Sequence, residues 1–310
     1  MSEAHISVLL DEAISSLNIR ENGVYVDATL GYGGHSSEIL KKVKRGYLFA
    51  LDQDSEAIRH STDRLNSIGT NFTIEKTNFK DMKKVLEKEG IKKVDGILFD
   101  LGVSSPELDE DYRGFSFHKD APLDMRMDTS QNFSAYNVVN EYSYEKLRDI
   151  FYKYGEDKFA PGIAKKIVEA RETKPIETTM ELVEIIKTAV PMKVRIKKHP
   201  ARQIFQAIRI EVNDELNVLE KALKDACDML NVGGRVVVIT FHSLEDRIVK
   251  QYFKKITEED ERIKGLPNID SSLLPDFKLV NRKPIVPSDE EIERNPRSRS
   301  AKMRVIERTK

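Results

Sequence analysis

The chain has 310 residues, 39% hydrophobic and 33% charged, which allows one large domain or two smaller ones and excludes a disordered tail protein. Its formal charge of −1, from 51 basic and 52 acidic residues, supplies no general attraction to nucleic acid, so any such affinity must come from local patches. The single cysteine, Cys227, excludes an intrachain disulfide and a cysteine-rich zinc site. The absence of a ~18-residue apolar run, a secretory pattern or a lipidation pattern points to a cytoplasmic protein with no membrane association.

In chain order, short apolar runs alternate with helical stretches. Val24–Asp27 reads as the first strand, followed by Gly31-Tyr-Gly33-Gly34-His35 and a helix to Lys42 that Ser36 caps or opens. Tyr47–Asp52 is the second strand, with a helix over Ser55–Leu65. Phe72–Glu75 is the third, with a helix over Asp81–Glu89, and Val94–Asp100 is the fourth. Strands and helices in regular order predict a parallel doubly wound α/β sheet.

The next convincing strand is Arg235–Phe241, more than a hundred residues downstream, whereas a crossover needs about a dozen. Most of the gap is therefore an inserted all-helical domain, with helices over Tyr144–Tyr154, Phe159–Arg171 and Thr178–Val190. The expected boundaries are 1–107 and 206–310 for a discontinuous sheet domain and 108–205 for the insertion. A helix with Leu216, Leu219, Leu223, Ala226 and Leu230 on one face leads back to the sheet and stops at Gly233-Gly234. After a helix over Leu244–Ile256, the stretch from 257 to 300 reads as a long surface loop, and Lys278–Asn281 and Lys302–Arg308 as closing edge strands.

In such a sheet the ligand lies beyond the carboxyl ends of the strands, here Asp27–His35, Asp52–Asp54, Asn78-Phe79 and Asp100–Pro106. Gly31, Gly33 and Gly34 permit tight turning and close approach to a ligand. Asp52, about 20 residues on, has the spacing of a carboxylate that accepts the ribose hydroxyls of an adenosine. NAD and S-adenosyl-L-methionine both satisfy this. The fourth-strand exit, Asp100-Leu-Gly-Val-Ser-Ser-Pro106, lacks a hydride or proton partner for nicotinamide and offers a carboxylate with small residues. That weakens an NAD(P)-dependent oxidoreductase as the second reading, and four complete cofactor loops weaken a third, a non-catalytic nucleic-acid-binding module.

Several long motifs then resemble one family from end to end. They are His5–Glu12, Asp27–Ser36, Asp100–Pro106, Arg113-Gly-Phe-Ser-Phe117, Leu123–Asp128, His199–Arg202, Phe205–Arg209, Thr240–Arg247 and Asn295–Ser300. The chain is similar to the RsmH (MraW) family. The resemblance implies a class I (Rossmann-like) methyltransferase sheet with a helical insertion. It also implies methyl transfer from S-adenosyl-L-methionine to the exocyclic N4 amine of a cytidine in the decoding centre of bacterial 16S ribosomal RNA. Position by position, Gly33, Gly34 and His35 match the methionine-side loop, Asp52 the ribose acid, Phe79 the adenine-side contact and Asp100 the acid facing the amino group. Where the family commonly has glutamine this chain has Glu107, which makes a neutral amide contact to the cofactor charged or removes it.

Transfer to an amine is an in-line displacement in which the enzyme mainly positions the reactants. Asp100 is the expected group that polarises the amine, and His242 is expected to line the acceptor side, with Ser243 capping the following helix. Methylation at C5 of cytosine would require a nucleophilic cysteine, and Cys227 reads as a packing residue. Another base amine or a ribose 2′-hydroxyl stays open as acceptor. Arg113, Phe115, Phe117 and Arg126 suit stacking on an unstacked base, with domain packing as the alternative, and Met125 and Met127 read as core. From Ile185 to Ile210 there are seven basic residues, Lys187, Lys193, Arg195, Lys197, Lys198, Arg202 and Arg209, and no acid. They form the expected docking stretch for 16S ribosomal RNA, within a small-subunit particle. Asn295–Arg299 is either a phosphate-binding turn or a solvated tail. No metal is expected, and a homodimer is left open.

Overall fold

The computed structural model describes residues 6–102, 111–259 and 269–310. Seven strands, β1 (Val24–Asp27), β2 (Tyr47–Asp52), β3 (Phe72–Lys76), β4 (Val94–Asp100), β5 (Leu230–Thr240), β6 (Phe277–Leu279) and β7 (Lys302–Arg308), form one sheet of order β3-β2-β1-β4-β5-β7-β6. β1 to β5 pair in parallel, whereas β7 runs antiparallel to both β5 and β6.

Because successive side chains of a strand point to opposite faces, each strand feeds two cores. Val26, Phe49, Ile97, Phe99, Val236 and Val238 pack on one face with Leu219, Leu223, Cys227, Val249 and Phe253, which come from helices Glu215–Met229 and Ser243–Thr257. Tyr25, Leu48, Ala50, Leu98, Val237 and Ile239 pack on the other with Leu9, Ala13, Ile39 and Leu65. Coverage of both faces explains why these strands are almost continuously apolar.

The chain divides into two compact units, Met1–Gly102 with Leu216–Lys310, and Val103–Glu215. The second is helical, with Ala135–Glu141, Tyr144–Lys153, Ala160–Arg171, Thr179–Ala189 and Ala201–Asn213 around a core that includes Leu147, Phe151, Ile163, Leu182, Phe205 and Ile208. The boundary expected at 205/206 falls inside helix Ala201–Asn213, whose apolar positions belong to that helical core.

Three further expectations are corrected. Gly233-Gly234 does not stop a helix: the helix ends at Met229, and β5 runs through the glycine pair. Its pairing with β4 shifts register between Val94 and Gly96, and Gly233 adopts φ +80°, as glycine in an irregular strand often does. Secondly, the described part of 257–300 is not merely solvated loop. Besides the edge strand expected near Lys278, observed as β6, it holds helix Asp289–Arg294, and Glu291, Asn295 and Ser298 are buried. Glu291 Oε1 accepts the Leu9 backbone N–H at 2.8 Å, and Asn295 Nδ2 donates to the Ile6 carbonyl at 3.0 Å. Thirdly, Ser36 neither caps nor opens its helix, which begins at Gly34 behind a left-handed Gly33 at φ +74°.

Candidate functional site

The carboxyl ends of β1 and β4 lie side by side where the strand order reverses, the place at which doubly wound sheets bind ligands. Three acids from different strands end there, and each is held differently.

Asp27 is buried at the end of β1 and accepts from Ser36 Oγ at 2.7 Å and from the Thr29 N–H at 3.1 Å. Burial raises its pKa against those two donors. Thr29 Oγ1 in turn accepts the Asp100 backbone N–H at 2.7 Å, tying the end of β4 to the loop after β1. Asp52 closes β2, where Oδ2 accepts from Gly31 N at 2.9 Å and Oδ1 from Asp54 N at 2.9 Å. Burial pushes its pKa up to about 6, opposed by the Asp54 and Gly31 N–H groups. Each oxygen keeps a further lone pair, so the carboxylate is fixed in place and can still accept from two hydroxyls.

Asp100 ends β4. Its Oδ1 is buried without a hydrogen-bond partner among the described residues, and Oδ2 lies 3.7 Å from His35 Nδ1. Burial raises this carboxyl to about 6, the His35 ring opposing and Asp27 reinforcing the shift. His35 is itself buried, and Nε2 lies 3.0 Å from the Val8 carbonyl, to which only an N–H can donate. With Nε2 donating, a neutral ring leaves Nδ1 as an acceptor on the Asp100 side, and burial holds the His35 pKa below the usual value against the opposing Asp100 charge and Val8 carbonyl.

The glycines of the loop act through space. A Cβ on Gly34 would fall 1.9 Å from Ser7 Oγ, and Gly33 needs its positive φ to start the helix. Phe79 sits after β3 in a single 3₁₀ turn capped by Asn78, and its ring meets Phe99 edge-on at 5.6 Å. Asn78 also donates to Gln53 Oε1 at 2.9 Å, linking the loops after β2 and β3. Gly31, Gly33, Gly34, His35, Asp52, Phe79 and Asp100 thus all lie at the carboxyl ends of β1 to β4. Glu107, with the rest of 103–110, lies outside the described residues. Thr29 and Ser36 escaped as site residues, although Asp-x-Thr and Asp-x-Asp at two strand ends are the pattern of side chains that accept the N–H two residues on.

Two further expectations need correction. His242, not Ser243, caps the helix after β5. Glu245 N lies 3.4 Å from His242 Nδ1, and His242 Nε2 lies 3.0 Å from Glu245 Oε1, so the ring sits against the first turn of its own helix. In the helical unit, Arg113 is buried and its guanidinium donates to the Arg126 and Met127 carbonyls, while Phe115 belongs to the helical core. Neither is placed to stack on a base. Met125 is core as expected, with Met127 partly buried against it.

The basic stretch is also thinner than its sequence. Lys187 pairs with Glu184 at 2.7 Å and Arg209 with Glu215 at 2.8 Å, and Arg195 Nε donates to the Val190 carbonyl. Lys193, Lys197, Lys198 and Arg202 remain exposed. Cys227 is buried, and burial pushes its thiol up to about 12.

Residues 2–309 match the family described as the MraW methylase family. The chain belongs to the MraW methylase family. "Ribosomal RNA small subunit methyltransferase H" of Exiguobacterium sibiricum is 54% identical over 307 residues, covering 99% of this chain and 98% of that protein. The protein of the same description from Limosilactobacillus fermentum is 52% identical over 309 residues, covering 99% and 98%. A solved structure described as an rRNA methylase from Streptococcus thermophilus covers 100% of this chain and 99% of its own, at 12% identity and a TM-score of 0.43. A likeness that weak adds nothing to the assignment. Membership of the MraW methylase family sets the oxidoreductase and the non-catalytic module aside. No helix among the described residues is long and apolar enough to cross a membrane.

Proposed function

We propose that this chain transfers a methyl group from S-adenosyl-L-methionine to the exocyclic N4 amine of a cytidine in the decoding centre of 16S ribosomal RNA, acting in the cytoplasm on the small subunit. The observation that carries the reading is Asp100, a carboxyl group at the strand-order reversal with one buried oxygen that has no partner among the described residues. Such an oxygen suits an N–H donor supplied by a substrate.

The residues fit the proposed cofactor. Asp52, fixed by two backbone N–H groups, would accept the ribose hydroxyls; the loop Gly31–His35 would border the methionine side, and Phe79, in the turn after β3, the adenine. When bound, the sulfonium supplies a methyl carbon already activated toward displacement. What the chain must then do is position and polarise the acceptor. The amine lone pair of cytosine is delocalised into its ring. An acceptor at Asp100 Oδ1 rotates the amine out of conjugation and stabilises the positive charge that grows on nitrogen. Burial of the Asp100 carboxyl, which raises it to about 6 against the opposing His35 ring, gives a proton leaving the amine a group of suitable affinity to receive it. C5 methylation finds no support, since the only cysteine is buried under the sheet with its thiol suppressed.

The helical unit is the proposed RNA-recognition domain, with Lys193, Lys197, Lys198 and Arg202 meeting phosphates. Mass spectrometry of ribosomal RNA nucleosides from cells lacking this protein tests the whole reading. Loss of N4-methylated cytidine, restored by the wild-type gene and not by Asp100→Ala, is the expected result. An unchanged nucleoside profile would overturn it.

A further inference from the structure

Within the helical unit, three aromatic rings from two distant segments meet. Phe117 and His199 lie nearly parallel, 30° apart with centroids at 4.6 Å. His118 is tilted against Phe117 at 4.4 Å and edge-on to His199 at 5.3 Å. Beneath them, the buried Phe205 of helix Ala201–Asn213 meets Phe117 edge-on at 5.8 Å, anchoring the group to the helical core. Two local hydrogen bonds fix the segments that carry it. Ser116 Oγ accepts the His118 backbone N–H at 3.2 Å, and His199 Nδ1 accepts the Ala201 N–H at 3.3 Å.

That second bond selects the tautomer, because a ring nitrogen that accepts carries no proton. His199 is therefore neutral with its hydrogen on Nε2, and burial together with the charges of His118, Lys187 and Arg202 disfavours a second proton. The outer ring, His118, is exposed, and so are Lys197, Lys198 and Arg202, the first two immediately before His199 in the chain. Among the described residues these three cations have no ion-pair partner. Ile196, beside them, is 79% exposed.

Packing alone accounts poorly for this arrangement. His118 is exposed and not part of the helical core, so burial does not account for its place in the cluster. An exposed ring on an aromatic cluster, flanked by cations on a stretch free of acids from Ile185 to Ile210, matches a ligand with flat π-faces and a negatively charged backbone.

We propose that Phe117, His118 and His199 form a stacking platform for an unpaired nucleobase of single-stranded RNA, with Lys198 and Arg202 meeting the phosphates on either side. This rests on the reading of the helical unit as RNA-binding and adds a defined subsite and a strand preference. The platform is separate from Arg113 and Phe115, which are buried.

The test uses the full chain and a twelve-residue oligocytidylate carrying one 2-aminopurine, single-stranded or annealed to its complement. The wild type should bind the single strand more tightly than the duplex and quench the 2-aminopurine. His118→Ala should lower single-strand affinity by roughly 5- to 150-fold, the range of one lost base stack, and abolish most of the quenching. Its salt slope and its affinity for S-adenosylmethionine should stay at wild-type values, and His118→Tyr should restore binding. Arg202→Gln should do the reverse, keeping the quenching and flattening the salt slope. Wild-type affinity and quenching in both His118→Ala and the milder Phe117→Leu would overturn the platform while leaving RNA binding by the unit intact. Failure of the wild type to bind either RNA form would overturn the platform and the RNA-recognition reading together.

Discussion

Asp100→Asn should make the unliganded protein more stable while it disables methyl transfer. The carboxyl is raised from 3.8 to about 6, so between those values the folded state holds a proton that the unfolded chain has released. Stability therefore falls as pH rises through that window, and the penalty is complete above it. Two pH units at 1.36 kcal/mol each amount to about 3 kcal/mol, an upper bound because the side chain keeps 22% of its exposure. Asparagine has the same shape and no charge, and its amide can donate to the His35 Nδ1 that Asp100 Oδ2 now faces at 3.7 Å. Urea unfolding of both proteins at pH 7.5 and pH 4 is the assay. The variant should gain up to about 3 kcal/mol at pH 7.5 and much less at pH 4, where the wild-type carboxyl is largely protonated in the folded state. No gain at pH 7.5, or an equal gain at both pH values, would refute the argument that burial of this charge is costly.

Asp52→Ala should weaken S-adenosylmethionine binding by about 10- to 100-fold in calorimetry, the range for charge-assisted hydrogen bonds, and unchanged affinity would remove Asp52 from the site. Because that carboxyl titrates near 6 and its ionised form is the better acceptor, wild-type affinity should decline below pH 6, whereas Asp52→Asn should show little decline. Neutralising Lys193, Lys197, Lys198 and Arg202 together should reduce the logarithmic salt slope of RNA binding by somewhat under one unit per lost phosphate contact. An unaltered slope would mean that these side chains are only solvated. Glu291→Ala, which leaves the buried Leu9 N–H without its acceptor, should cost about 1–3 kcal/mol in the same urea assay.

The strands that frame the site are legible because each is an apolar run ended by an acid: Val24–Asp27, Tyr47–Asp52 and Val94–Asp100. Asp52 follows from spacing alone. What hydrophobic pattern misses is polar burial, and Ser36 shows why. Serine near a helix start has a strong local meaning, yet here its hydroxyl is taken by Asp27 across the loop, a contact that exists only once strand and helix have packed. Arg113 fails in the opposite direction. A guanidinium at a domain edge reads as a surface group, while the structure uses it to satisfy two carbonyls within the unit. Glycine pairs are ambiguous as well, since Gly233-Gly234 can end a helix or bend a strand, and only the pairing of β5 with β4 decides.

The contacts of Glu291 and Asn295 with Leu9 and Ile6 have a bearing on timing. They span 282 and 289 residues, and a ribosome adding about 5–20 residues per second needs roughly 15–60 s between the two ends of such a contact. Throughout that interval the segment around Leu9 lacks its partner. The sheet unit therefore closes only after synthesis has passed the helical unit, whose own core draws on a single contiguous stretch. The two units mature in an order opposite to the one in which the chain begins them.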